Sequence, residues 1–194
     1  MIDLKHAEER FKDHVAILRQ FDTISVLDFK RPGSNEYRIR FLFENDYCRL
    51  HISGDLGELS AVNYNNMVIG KFYKGFVFDP GYFEGKVTSH ARALYSWDED
   101  DAREDLRQIL AERLEEDYES VEETIDELLE DFADPGGLAT GNSAVRDILY
   151  DIDSNWWEWA GGVGKRRTGI IELYLLAFRL AWEQLEAAKE GGPK

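Results

Sequence analysis

The alternation of residues 37–52 constrains this chain more than any other feature. Tyr37-Arg38-Ile39-Arg40-Phe41-Leu42-Phe43-Glu44 alternates with a period of two, and so does Tyr47-Cys48-Arg49-Leu50-His51-Ile52. A period of two marks a strand with one buried face. The Asn45-Asp46 pair between the two runs suits a two-residue hairpin turn. With that turn Glu44 pairs with Tyr47. Ile39, Phe41, Phe43, Cys48, Leu50 and Ile52 then share one face, and Arg38, Arg40, Leu42, Arg49 and His51 share the other. A chain with such a hairpin must cover the first face with apolar side chains.

The flanking segments supply that cover. Leu4 to Phe21 reads as an amphipathic helix with Ala7, Phe11, Val15 and Leu18 on one stripe, and Thr23 to Lys30 as a strand. Pro32-Gly33 turns the chain. After a turn at Ser53 to Glu58, Leu59 to Tyr64 continues as a strand, and Lys71 to Asp79 reads as another. Helices are expected over Gly81 to Ala93 and from an Asp98 cap to about Asp117. Another follows a Ser120/Glu123 capping box and stops at Pro135-Gly136-Gly137. A short helix runs from Asn142 or Ser143 to Ile152, and Gly169 to Ala188 forms the last and most apolar one. The expected class is α+β: an N-terminal helix, an antiparallel meander of about four to five strands, then a C-terminal helical region. At 194 residues, 43% of them hydrophobic, the chain suits a single domain, with the sheet part in residues 1–80 and the helical region in 81–190.

Charge is distributed unevenly. The net charge is −16. Residues 98–134 hold 18 acidic residues and 3 arginines, a balance of −15; the remainder holds 20 basic and 21 acidic residues, a balance of −1. Such a segment is either a solvated helix face or a surface that attracts a basic partner, for instance a nucleic-acid-binding groove. In the second case the contact residues are Glu115, Glu116, Asp117, Glu119, Glu122, Glu123, Asp126, Glu127, Glu130 and Asp131.

Several function classes are weakened by absence. Cys48 is the single cysteine, which leaves no internal disulfide and no cysteine-cluster metal site, and fits a reducing cytoplasm. The most apolar stretch, Ile170 to Trp182, carries two charges and is too short to span a bilayer, so no membrane role is expected. Asp55 and Glu58, flanked by Gly54 and Gly57, suit a tight turn better than a metal, and no cofactor or metal is expected. Gly161 to Gly169 lacks the glycine and the Ser/Thr that a phosphate loop needs at Trp159 and Arg166. It leaves a basic loop, Lys165, Arg166 and Arg167, that either holds a phosphate or docks the acidic segment of the same molecule. On the polar hairpin face Arg38, Arg40, Arg49 and His51 cluster; the bland reading is internal salt bridging, the sharper one a phosphate-bearing ligand. With His51 opposite Arg40, that pair is the one catalytic candidate, for phosphodiester cleavage. Trp156, Trp157 and Trp159 either seal the core between the last two helices or serve as stacking and hot-spot residues.

The segment Leu50-His51-Ile52-Ser53-Gly54-Asp55-Leu56-Gly57-Glu58, followed by Tyr82-Phe83-Glu84-Gly85-Lys86-Val87 and Tyr95-Ser96-Trp97-Asp98, resembles a group of phage and prophage proteins. In that group a Ser-Gly-Asp-Leu/Met-Gly turn follows an apolar strand and an acidic capped helix comes later. The likeness covers roughly residues 37–115 and departs from the group at Tyr64-Asn65-Asn66, where a Trp is common. It implies a mobile-element origin and carries over no activity. Small acidic phage proteins of the anti-CRISPR kind act by binding a host protein. The expectation is therefore an inhibitor of a nucleic-acid-directed defence system that binds a CRISPR effector or its ribonucleoprotein through the acidic surface. The alternatives are a nucleic-acid-binding or RNA-cleaving protein using the Arg/His sheet face, and a self-assembling phage component.

Overall fold

The computed structural model describes residues 2–115, 117, 119–132 and 136–190. Its contacts group the chain into two compact units, Met1–Leu94 with Thr168–Lys194, and Tyr95–Arg167. Residues 81–94 and 168–190, expected in the helical region, group with the sheet.

The first unit is built on a six-stranded antiparallel meander: β1 (Val15–Phe21), β2 (Ile24–Lys30), β3 (Ile39–Glu44), β4 (Arg49–Gly54), β5 (Leu59–Val62) and β6 (Val87–His90), paired in chain order. The α+β class and the order helix, meander, helices hold, with six strands in the meander where four to five were expected. In the β3–β4 hairpin Glu44 pairs with Arg49, two residues beyond the expected Tyr47. Asn45 to Cys48 all lie in the turn. Asn45 is held there by its own amide, whose N–H donates to the Thr23 carbonyl at 2.8 Å, and by its side chain, which meets Ser25 Oγ at 2.9 Å and the Ile69 N–H at 3.3 Å. An even slip keeps the strand side chains on their expected faces, whereas Cys48, expected on the buried face, lies half-buried in the turn. Ile39, Phe41, Phe43, Leu50 and Ile52 are all buried.

Three expected elements change type. The helix α1 spans only Leu4–Phe11, and Val15–Phe21 is a strand. Its partner β2 follows through the two residues Asp22 and Thr23, with Phe21 paired to Ile24, so the β-branched and aromatic residues of this stretch are recruited by pairing. The segment expected as a strand from Lys71 is the helix α2 (Ile69–Phe76), because Phe72 and Phe76 repeat at a helical spacing and both are buried. Gly81 to Ala93 divides into α3 (Pro80–Glu84), capped by Asp79 accepting from the Tyr82 N–H at 2.9 Å, and the strand β6.

The turn after β4 explains its glycine. Gly54 has φ +143°, and a Cβ there would lie 2.1 Å from the Arg38 carbonyl oxygen. Asp55 continues the turn by donating its N–H to that carbonyl at 3.0 Å and accepting the Tyr37 N–H at 3.1 Å. The carboxylate therefore caps backbone, as its setting between glycines suggested.

The long helix α7 (Ile170–Glu190) covers the apolar sheet face with α1, α2 and α3. Phe178 stands at its centre, with ring centroids 5.2 Å from Phe41, 5.9 Å from Phe43 and 4.6 Å from Phe72. No helix of the described residues is long and apolar enough to cross a membrane.

The second unit opens and closes on a two-stranded ribbon, β7 (Tyr95–Trp97) paired with β8 (Lys165–Arg167). Between them lie α4 (Glu99–Leu114), α5 (Glu122–Leu129) and α6 (Ser143–Ile152). Asp98 caps α4 as expected, accepting the N–H groups of Asp100 and Asp101 at 3.0 and 3.1 Å. Asn142 caps α6 in the same way. The capping box at Ser120 and Glu123 does not form: Val121 is the cap residue, and Ser120 instead donates to Asp117 at 2.8 Å. Leu106, Leu110, Ile125, Leu128, Val145 and Leu149 build a core separate from that of the first unit.

Two expectations test this packing. Replacing Phe178 by Ala removes a fully buried ring and lowers unfolding free energy by about 3–5 kcal/mol in a denaturant titration that follows the first unit. His14 is buried beside Phe11 and Phe29; its Nε2 donates to the Tyr37 carbonyl at 3.2 Å, and its Nδ1 has no partner among the described residues. Burial, helped by the Arg31 charge, pushes its pKa below 6.5. The unfolded chain then binds the proton more readily, so this contribution is complete above pH 6.5 and falls as the pH drops below it towards the folded-state pKa. Melting temperature should fall between neutral and mildly acid pH, and the H14Q variant should show a shallower slope.

Candidate interaction surfaces

The sheet of the first unit has a second face, opposite the core. Pairing aligns Ile17, Asp28, Arg40 and Ser53 in one row, and Arg19, Val26, Leu42, His51 and Ser60 in the next. The structure thus places Arg40 across from Asp28 and Ser53, and His51 across from Leu42 and Ser60. The expected opposition of His51 and Arg40 is lost with the two-residue shift in register.

Asp28 organises this face. It is buried, and its carboxylate accepts two bonds from Arg40, 2.6 Å from Nε and 3.0 Å from Nη2, and a further bond from Arg19. Burial alone would raise the Asp28 pKa; the Arg40 hydrogen bonds and the charges of Arg40, Arg19 and Lys30 outweigh it and hold the carboxyl below its ordinary range. Arg40 is therefore committed to an internal partner. His51 shares Nδ1 with Ser60 Oγ at 2.9 Å, and its Nε2 lies 3.7 Å from Glu44. Arg49 is exposed and faces Glu44 in the register. Arg38 is exposed, with its guanidinium 3.5 Å from the Asn35 side chain. A concavity of about 350 Å³ lies over the first row, lined by Lys30, Arg38 and Arg40 but also by Asp28 and Glu58.

The basic segment near the end of the second unit is not a loop. Lys165 to Arg167 form the strand β8, fixed by pairing with Tyr95 to Trp97. Arg166 donates to both carboxylate oxygens of Asp105, at 2.8 and 2.9 Å, and lies 3.4 Å from Asp101. The Lys165 ammonium sits 3.9 Å from the centre of the Tyr95 ring. Of the two readings of these cations, the docking of acidic residues in the same unit describes what Arg166 does.

The acidic residues form a surface of a different kind. On α5, Ile125, Leu128 and Leu129 are buried, and Glu123, Asp126, Glu127 and Glu130 follow one another at helical spacing on the exposed side. Arg103 pairs with Asp126 at 2.7 Å and with Glu122 at 3.2 Å, and Arg107 also holds Glu122. Asp131 accepts from the Asn142 side chain, and Asp117 caps the turn at Glu119 and Ser120. Glu115, Glu119, Glu123, Glu127 and Glu130 are exposed, and none has a basic partner within ion-pair distance among the described residues. Glu116 lies outside the described residues.

The tryptophans are divided. Trp156 and Trp159 pack on the second unit's own core, with Trp159 Nε1 donating to Asp153 at 3.0 Å, whereas Trp157 is exposed. Trp156 and Trp159 thus help to seal the second unit's core beside α6. The exposed pair Tyr150 and Trp157 had no distinguishing sequence signal beyond the clustering of tryptophans.

Changing Asp28 to Asn should lower stability by about 1–2 kcal/mol, a modest figure because both arginines are half exposed, with urea unfolding as the measurement.

No family model, no curated protein and no solved structure matches this chain, so its own residues carry the functional reading.

Proposed function

We propose that this chain is a binding protein of the inhibitor kind, whose second unit presents carboxylates to a cationic surface of a host protein. The observation that carries the reading is a charge that its own unit leaves largely unneutralised. Tyr95–Arg167 contains 22 acidic and 7 basic residues, a balance of −15, against −1 for the rest of the chain. Like charges at helical spacing along α5 destabilise a helix by about 0.2–0.5 kcal/mol per pair. A surface kept at that cost is explained by a partner of opposite charge, which it would draw in over a Debye length.

A nucleic-acid-binding groove has the required sign, since it is shaped to receive a line of negative charge. Within that class the partner proposed is a nucleic-acid-directed defence machine, a CRISPR effector or its ribonucleoprotein, the choice that a mobile-element origin would favour. The sheet-face alternative is less well supported, because Asp28 already holds Arg40 and Arg19, and His51 faces Leu42 and Ser60 instead of Arg40.

The test is retention of a guide-loaded effector by the tagged full-length chain at about 0.05 M and about 0.5 M salt. Retention should be strong at the lower concentration and lost at the higher. The E123Q/E127Q variant should bind about tenfold more weakly while melting close to the parent, since the repulsion it removes offsets the favourable place of Glu123 in the first turn of α5. Retention indifferent to both salt and variant would refute the proposal.

A further inference from the structure

Asp147, Tyr150 and Asp151 are spaced i, i+3 and i+4 on α6 and all are exposed, while Val145 and Leu149 face the core. The chain then passes Asp153 and makes a short 3-10 turn, Trp156–Glu158. That turn brings Trp157 beside Tyr150, with ring centroids 6.5 Å apart and planes at 62°, and sets Trp156 5.8 Å from Tyr150. Tyr150 is 54% exposed and Trp157 56%. Two large rings left in water forgo much of the stabilisation their burial would bring. Glu158 adjoins Trp157 and is exposed. Asp147, Asp151 and Glu158 have no basic partner within ion-pair distance among the described residues, and the neighbouring Arg146 turns its Nε to the Gly141 carbonyl at 3.2 Å.

We propose that this surface docks an arginine-rich segment of a partner protein. The inference rests on the acidic-unit reading and names the chemistry of its partner. A guanidinium is flat and weakly hydrated, so it stacks on the faces of Trp and Tyr while donating in its plane to carboxylates. Tyr150 and Trp157 offer the faces, and Asp147, Asp151 and Glu158 the carboxylates. A lysine supplies the charge but not the planar stack. Nucleic acid also stacks on aromatic rings, yet its phosphates would meet a unit with a balance of −15, and a second copy of this chain would bring that same charge. Charge selects a cationic partner, and the exposed rings select arginine within that class.

The experiment measures binding of fluorescently labelled oligo-arginine and oligo-lysine peptides of equal length to the full chain at low salt, with tryptophan emission as a second readout. Oligo-arginine should bind about tenfold more tightly than oligo-lysine and should perturb tryptophan emission. The Y150A/W157A variant, which alters only exposed rings, should lose most of that preference, and E123Q/E127Q should weaken both peptides alike. Equal affinity for the two peptides, or an unchanged preference in Y150A/W157A, overturns the docking site. If E123Q/E127Q still weakens both peptides in that case, the acidic-unit reading survives; if it changes neither, both fall. Binding of single-stranded RNA, or dimerisation that Y150A/W157A abolishes, in place of peptide binding also overturns the proposal.

Discussion

The packing of Phe178 against Phe41, Phe43 and Phe72 is the interaction on which the first unit depends. Six strands present one continuous apolar face, and the helix that covers its centre comes last in the sequence. Everything between β6 and α7 must therefore leave the first unit and return to it at neighbouring points. Leu94 and Thr168 mark those points: the Thr168 N–H donates to the Leu94 carbonyl at 3.0 Å, and its hydroxyl to the Ala93 carbonyl at 2.8 Å. In the second unit the pairing of β7 with β8 joins the two ends in the same way. An insertion closed at its base can build its own core, and Leu106, Leu110, Ile125, Leu128 and Leu149 do so.

That arrangement gives the charge distribution a physical meaning. The first unit balances its charges locally, and the Arg19–Asp28–Arg40 cluster shows how: an otherwise costly buried carboxylate is stabilised by two guanidinium groups. The second unit uses Arg103, Arg107, Arg113 and Arg166 to hold Glu122, Asp126, Asp153 and Asp105, and still carries most of the chain's negative charge. Solubility alone does not need so strong a local excess, since a modest net charge suffices for a small domain. The proposed docking on Tyr150 and Trp157, beside carboxylates with no basic partner among the described residues, would add a contact that long-range attraction lacks.

Much of this was legible in the sequence, for reasons that particular residues show. Alternation at Ile39 to Glu44 reports which face is buried whatever the register, so the core of the hairpin was readable although the turn was not. Asn45 and its hydrogen bonds to β2 and α2 fix a four-residue turn, and such long-range partners leave no local trace. Val15 and Leu18 fit a helical stripe and a strand equally well, and pairing with β2 decides between them. The acidic surface was readable from composition. Its partial pairing with Arg103 and Arg107 was not, because which residues of α4 and α5 face each other depends on packing. Trp157 was grouped with its neighbours by sequence and separated from them only by exposure.

The central claim is that the charged second unit, not the arginine-bearing sheet, is the surface that meets a partner. Amide chemical-shift mapping of the full chain during titration with a basic, arginine-rich peptide tests it most directly. The account predicts perturbations confined to residues 95–167, largest around Tyr150 and Trp157, with β3 and β4 unmoved. Perturbations concentrated on Arg38, Arg40, Arg49 and His51, or spread evenly over both units, would contradict it.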